Sequence, residues 1–277
     1  MTIMIGFFDS GLGGLAVLKE VVKLLPDYPY IYLGDNARAP YGSRSQEVIY
    51  KYTVEGVKEL FNRGAELVIL ACNTSSSAAL RKIQREFLPQ NYPDRKVLGI
   101  IIPTAEESPK LTKTKEIGIL ATEATVNSRS YVNEIKKINP DIKIYQQACP
   151  LFVPIIEAGE AEWAGMDLAI EKYLAELFVK SKNIDTIILG CTHYAFIEDK
   201  IRRHLDRVIG RQVRIVSQGR IIAEKLKDYL DRHSEIEKKL HKSAVRRLFF
   251  TESAPRLKDL SAMFYGEDIA VEKLSIN

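Results

Sequence analysis

The chain has 277 residues, which allows one large domain or two small ones at roughly 150 residues each; its 46% hydrophobic and 27% charged residues are those of a folded globular protein, excluding disordered, collagenous and coiled-coil classes. A formal charge of +4, from 40 basic and 36 acidic residues, is too small to act alone as an electrostatic footprint for nucleic acid. No apolar run reaches the ~18 to 20 residues of a membrane-spanning helix, and Met1 to Phe8 lacks the basic region and cleavage site of a secretory leader, so a soluble, cytoplasmic protein without membrane contact is expected.

In chain order, short β-rich apolar runs alternate with stretches of helical period, the pattern of an α/β fold with mostly parallel sheets flanked by helices. The runs Ile3 to Phe8, Tyr30 to Leu33, Leu67 to Ala71 and Val97 to Ile102 come with helical patterns at Leu15 to Leu25, Glu47 to Asn62 and Ser75 to Phe87. Thr104 to Lys115, with its charges and Pro109, reads as a connector. A second series follows at Ile117 to Ala121, Ile142 to Gln146, Thr186 to Gly190 and Val213 to Ser217, with helices near Val126 to Ile138, Gly165 to Ser181 and Ala195 to Leu205. Each run lies a nearly constant distance beyond its counterpart, so two similar lobes related by a pseudo-twofold axis, with a cleft between them, are expected.

The tail adds a helix at Ile221 to Asp231, a strand candidate at Arg246 to Thr251 and a helix at Pro255 to Tyr265, and is expected to return to the first lobe. The expected lobes are therefore 1–98 with 211–277, and 99–210. Ser234 and Glu237 have capping-box spacing. Between Lys200 and Arg220 many basic residues face Asp206 alone, but without interleaved aromatics they read as a solvated face, and nucleic acid is not expected as a partner.

Cys72, Cys149 and Cys191 are odd in number and form no C-x-x-C, and the four His make no H-E-x-x-H, so neither disulfides nor a metal site is expected. Cys72 follows Leu67 to Ala71 and Cys191 follows Thr186 to Gly190, equivalent places in the two halves. Each thiol should stand at the carboxyl edge of its sheet, where open α/β folds bind ligands and helix N-termini favour thiolates and carboxylates. One thiol from each lobe, facing one substrate atom from opposite sides, can remove a proton from one face and deliver one to the other, which is racemisation. An ordinary thiol with pKa about 8.5 is only a few per cent ionised at neutral pH, so neighbours must set the charge. Candidates are Asp9, Ser10, Thr122, Thr125, Asp35, Glu157 and His193. Cys149, without a partner in the first half, reads as inert core.

Three other readings compete. Gly11-Leu12-Gly13-Gly14-Leu15-Ala16 satisfies G-x-G-x-x-A with Asp35 downstream, as in nicotinamide enzymes, but Asp9 would crowd the pyrophosphate with negative charge. A single Cys paired with His193 for acyl transfer leaves the other cysteine unexplained. The third is an amino-acid or nucleic-acid binding module on the same scaffold.

Five blocks together resemble the cofactor-independent glutamate racemases of the aspartate/glutamate racemase superfamily: Phe8 to Gly14, Gly34 to Arg38 with Pro40-Tyr41-Gly42, Ala71 to Thr74, Ala148-Cys149-Pro150, and Gly190 to Tyr194. The resemblance implies that Cys72 and Cys191 are the acid/base pair, tuned by Asp9, Glu157 and His193. It further implies a substrate clamp of Asp9, Ser10, Tyr41, Gly42, Asn73, Thr74, Thr122, Thr192 and His193, no cofactor, and glutamate as substrate, with aspartate as the alternative. The product would be D-glutamate for peptidoglycan, and a homodimer is one assembly open to the chain. Ala195, Asn36 and Ser217-Gln218-Gly219-Arg220 depart from the family's usual residues; the last bears on lobe packing or effector response.

Overall fold

The computed structural model describes residues 3–253 and 256–276. Four strands open the chain, β1 (Met4–Asp9), β2 (Tyr30–Gly34), β3 (Ala65–Leu70) and β4 (Lys96–Gly99). Four more follow, β5 (Glu116–Ala121), β6 (Lys143–Ala148), β7 (Thr186–Gly190) and β8 (Arg214–Val216), and β9 (Arg246–Phe250) and β10 (Val271–Lys273) close the series. They form two sheets, ordered β10-β9-β2-β1-β3-β4 and β6-β5-β7-β8, and the registered pairs are parallel. Without β9 and β10 the first sheet reads 2-1-3-4, and the second repeats that order with its own four strands. The internal repeat seen in the sequence is thus a repeat of topology.

The helices are α1 (Gly14–Leu24), α2 (Gln46–Asn62), α3 (Asn73–Lys82), α4 (Leu88–Asn91), α5 (Ile101–Glu107), α6 (Glu123–Ser128), α7 (Ser130–Ile138), α8 (Phe152–Glu157), α9 (Ala164–Lys180), α10 (Glu198–Ile209), α11 (Gln218–Arg232), α12 (Ser234–Glu237) and α13 (Leu257–Tyr265). The central strands β1, β3, β5 and β7 are buried along their whole length, which is why they read as continuous apolar runs. One apolar core joins the lobes: Ile5, Phe7 and Ile69 of the first sheet pack in the same cluster as Leu120 and Leu189 of the second, with α1 and α11 in it.

Several expectations change. Thr104 to Lys115 is not a plain connector, since α5 occupies Ile101–Glu107 and a 3-10 turn follows at Ser108–Lys110. Pro103 sits in the first turn of α5, where its missing N–H has no intrahelical partner to lose. The helix expected over Val126 to Ile138 is broken at Arg129, whose φ of 53° is left-handed, into α6 and α7. β8 pairs with β7 and so belongs to the second sheet, beyond the 210/211 boundary read from the sequence. The tail does return, with β9 on β2 and α13 on α1, and β10 was not anticipated. Pro255, where the last helix was expected to begin, lies outside the described residues. A helix does restart after His233, as α12, but Ser234 is its first residue and makes no side-chain capping bond.

Candidate active site

The chain leaves β3 through Ala71 into Cys72, which caps α3: its Sγ accepts the Ser75 N–H at 3.4 Å and lies 3.4 Å from Ser10 Oγ. The helix therefore starts at Asn73, earlier than periodicity suggested, and the thiol sits at its positive end. Cys191 directly follows β7 and precedes a 3-10 helix at Thr192–Ile197, with its Sγ 3.8 Å from His193 Nδ1. Both cysteines are buried and free, and both line one cavity of about 160 Å³. Ser10, Tyr41, Gly42, Asn73, Thr74, Thr122, Glu157, Thr192 and His193 line the same cavity, so it gathers the expected site residues from both lobes, with Asp9, Asp35 and Thr125 excepted.

The two thiols have different surroundings. His193 is buried, with Nε2 3.0 Å from Glu157 Oε1. Burial alone would lower the imidazole pKa, but the hydrogen bonds to Cys191 and Glu157 outweigh it and hold the ring well above its ordinary value. An imidazole so placed can take the Cys191 proton and then face the thiolate as a cation. On the other side, burial and the neighbouring charge of Asp9 push the Cys72 thiol up, against hydrogen bonds from Ser10 and Ser75. Asp9 lies fully buried behind the wall; desolvation raises its pKa although His193 and the Gly14 and Gly11 N–H groups oppose it. Its Oδ2 accepts the Gly11 N–H at 3.0 Å, while Oδ1 has no partner.

Some expected clamp residues have their side chains engaged elsewhere. The Tyr41 hydroxyl donates to Asp35 Oδ2, which also accepts Arg38 Nε at 2.6 Å, while Asp35 Oδ1 accepts the Thr251 hydroxyl at 2.9 Å. Asp35, the downstream acid of the nicotinamide-enzyme reading, is thus buried and committed to holding the loop that carries Tyr41 and Gly42. The Thr74 and Thr122 hydroxyls lie 3.0 Å apart, joining the lobes at the cavity wall, and Thr122 caps α6 by accepting the Thr125 N–H at 3.3 Å. Ser10 and Thr192 also line the wall, and a helix start follows each cysteine.

The glycine run also has a packing explanation. A Cβ on Gly13 would stand 2.5 Å from His193 Nδ1 and from Thr192 Oγ1, and one on Gly14 would stand 2.8 Å from Asp9 Cβ. These glycines let the second lobe's histidine and the first lobe's aspartate approach α1. Cys149 is buried, its thiol pushed well up by desolvation, and it lines the same cavity. Ala39, Pro40 and Pro150 also line the wall, as do Ser43, Glu123, Val153 and Pro154; of these only Pro40 and Pro150 stood in the sequence blocks. Of the rest only Glu123 carried a signal, standing next to Thr122 at the start of a helix.

Residues 5–226 match the family described as Asp/Glu/Hydantoin racemase. The chain belongs to that racemase family. The glutamate racemase of Persephonella marina is 38% identical over 274 residues, covering 99% of this chain and 97% of that protein. Among solved structures, a glutamate racemase isoform from Bacillus anthracis superposes with a TM-score of 0.87 at 29% identity, covering 99% of this chain and 98% of that one. A glutamate racemase from Francisella tularensis in complex with D-glutamate gives 0.86 at 31% identity, covering 100% and 98%.

In this racemase four of the seven basic residues from Lys200 to Arg220 pair with local acids. Lys200 pairs with Asp167 and Glu162, Arg202 with Glu198, Arg207 with Glu171 and Arg220 with Glu224, while Arg211 donates to the carbonyls of Lys182 and Ile184. Among the described residues no group of three or more His, Cys, Asp or Glu could hold a metal ion, and no helix is long and apolar enough to cross a membrane.

Proposed function

We propose that this racemase interconverts L- and D-glutamate by passing the α-proton between Cys191 and Cys72, with no cofactor. The observation that carries the reading is the placement of two cysteines, from equivalent strand ends of two repeated sheets, on one cavity. In the L-to-D direction the Cys191 thiolate, formed with His193, takes the α-proton, and the Cys72 thiol delivers its own proton to the opposite face of the carbanion. Turnover leaves Cys191 protonated and Cys72 ionised, the form that runs the reverse reaction, and proton exchange with water resets the pair. The first-turn N–H groups would hold the substrate carboxylates and the charge that develops on them.

Glutamate is favoured over aspartate because the full-length relatives are glutamate racemases. One methylene is worth only about 1–3 kcal/mol in a pocket, so the preference needs direct measurement. The family relation assigns the product to peptidoglycan, and three free cysteines suit a reducing cytoplasm.

Circular dichroism of both enantiomers of both amino acids, on enzyme dialysed against chelator without pyridoxal phosphate, should show glutamate racemised at undiminished rate. A preference for aspartate would overturn the substrate, and activity recovered only with metal or pyridoxal phosphate would overturn the mechanism. Cys72→Ser and Cys191→Ser should each abolish racemisation, since a serine hydroxyl is too weak an acid to ionise near neutral pH. In deuterated water any residual α-exchange should be confined to L-glutamate in Cys72→Ser and to D-glutamate in Cys191→Ser. Exchange of the same enantiomer by both variants refutes two opposed bases.

A further inference from the structure

Gln218 belongs to the segment that departs from the family's usual residues, and its side chain is only 4% exposed at the start of α11. Its amide pairs head to tail with that of Asn73: Asn73 Nδ2 donates to Gln218 Oε1 at 2.6 Å and Gln218 Nε2 lies 3.1 Å from Asn73 Oδ1. The same Nε2 is 2.8 Å from the Tyr131 hydroxyl and 3.1 Å from Thr104 Oγ1, and Tyr131 donates to Asn73 Oδ1 at 2.7 Å. Asn73 is the first residue of α3 and directly follows Cys72, whereas Tyr131 belongs to α7 beside the second sheet. Gln218 and Thr104 stand on α11 and α5, which pack together where the chain passes between the lobes.

From this network we infer that Gln218 is a positioning residue for racemisation: it locks the first turn of α3, and with it Cys72, to the lobe that carries Cys191. With the Ile100 carbonyl at 3.4 Å, four acceptors surround a group with two hydrogens, so the buried Gln218 amide has partners for both. Buried, fully partnered polar networks of this kind specify one geometry, whereas an apolar contact of equal area tolerates sliding. The requirement is demanding here because the two sulfurs must address opposite faces of one carbon, and a misplacement of about 1 Å can cost about 100-fold in rate. Gln218 makes no hydrogen bond to either sulfur and lies outside the wall of the cavity that both thiols line, bordering with Cys191 a separate opening of about 460 Å³, so its link to Cys72 runs through Asn73.

The inference rests on the two-thiol reading. Gln218→Met keeps the length of the side chain and removes both hydrogen-bonding functions. It should lower kcat at least tenfold in both directions with KM within threefold. In deuterated water the ratio of α-exchanged but uninverted glutamate to inverted product should rise, because a proton is still removed while delivery from the far face fails. Tyr131→Phe deletes one hydroxyl of the network and should show the same rise with a smaller loss of kcat, which keeps the test available if Gln218→Met does not fold. A folded Gln218→Met with kcat within twofold of the native value, or an unchanged exchange-to-inversion ratio in whichever of the two variants folds, overturns the positioning role. If Cys72→Ser and Cys191→Ser stay active the two-thiol reading falls instead, so the two failures are distinguishable.

Discussion

Replacing Gly13 by alanine tests whether His193 must stay where the fold holds it. Gly13 has φ −59° and ψ −34°, helical values that alanine adopts without strain, so the perturbation is steric. The new methyl would start 2.5 Å from His193 Nδ1 and 2.8 Å from Cε1, whereas contacts to carbon settle near about 3.5 Å. The ring must therefore retreat by about 1 Å, which breaks the 3.8 Å approach to Cys191 and disturbs the 3.0 Å bond to Glu157. Misplacement on that scale costs about 100-fold in kcat, or about 2.7 kcal/mol of barrier at about 1.36 per tenfold. Overpacking should cost a further 1–3 kcal/mol or so of stability, visible as a lower melting temperature. Circular dichroism of glutamate in both directions gives the rates, and because the enantiomers are isoenergetic kcat/KM must fall equally for both. In a His193→Ala background the methyl has room where the ring was, and the Thr192 hydroxyl can turn away. Gly13→Ala should then cost little more, with a coupling of about 2 kcal/mol. A folded Gly13→Ala enzyme with kcat within twofold of native, or losses that simply multiply in the double variant, would refute the reasoning.

Two further outcomes follow from the charges around the cavity. Glu157→Gln removes one of the groups that raise His193 and lets burial pull the ring down, so the alkaline limb of kcat/KM should move to lower pH. A raised folded-state pKa means that the stabilisation linked to the His193 proton is complete below its ordinary value of 6.5 and is lost as pH rises through the raised value; melting curves from pH 6 upward should show that loss beginning earlier in Glu157→Gln, and an unmoved profile would sever the link. Tyr41→Phe leaves a buried Asp35 oxygen short of a donor, which should cost about 1–3 kcal/mol in denaturant unfolding and raise KM by loosening the loop at Gly42. Unchanged stability would mean that Arg38 and Thr251 suffice.

The parts legible in the sequence were those set by short-range pattern. Fully covered parallel strands must be apolar on both faces, so β1, β3, β5 and β7 announced themselves as runs, and two such series at constant spacing disclosed the repeat and its paired cysteines. Local pattern misled where one residue type serves two structures. Pro103 signals a break in general but is harmless in the first turn of a helix, and Arg129 ends α6 in a left-handed conformation that no propensity favours.

The difference in surroundings between the two thiols was a tertiary matter, because it depends on which charges approach from elements far apart in the chain. The sequence by itself determined the α/β class, the repeat, and which polar side chains end the strands. Only the tertiary structure decided that Glu157 reaches His193 beside Cys191, that Asp9 stands behind the wall near Cys72, and that Gln218 closes on Asn73 across 145 residues of chain. The reason is physical: a pKa or a clamp is set by distances of 3 to 4 Å in a desolvated space, and sequence spacing carries no such distance between separate elements.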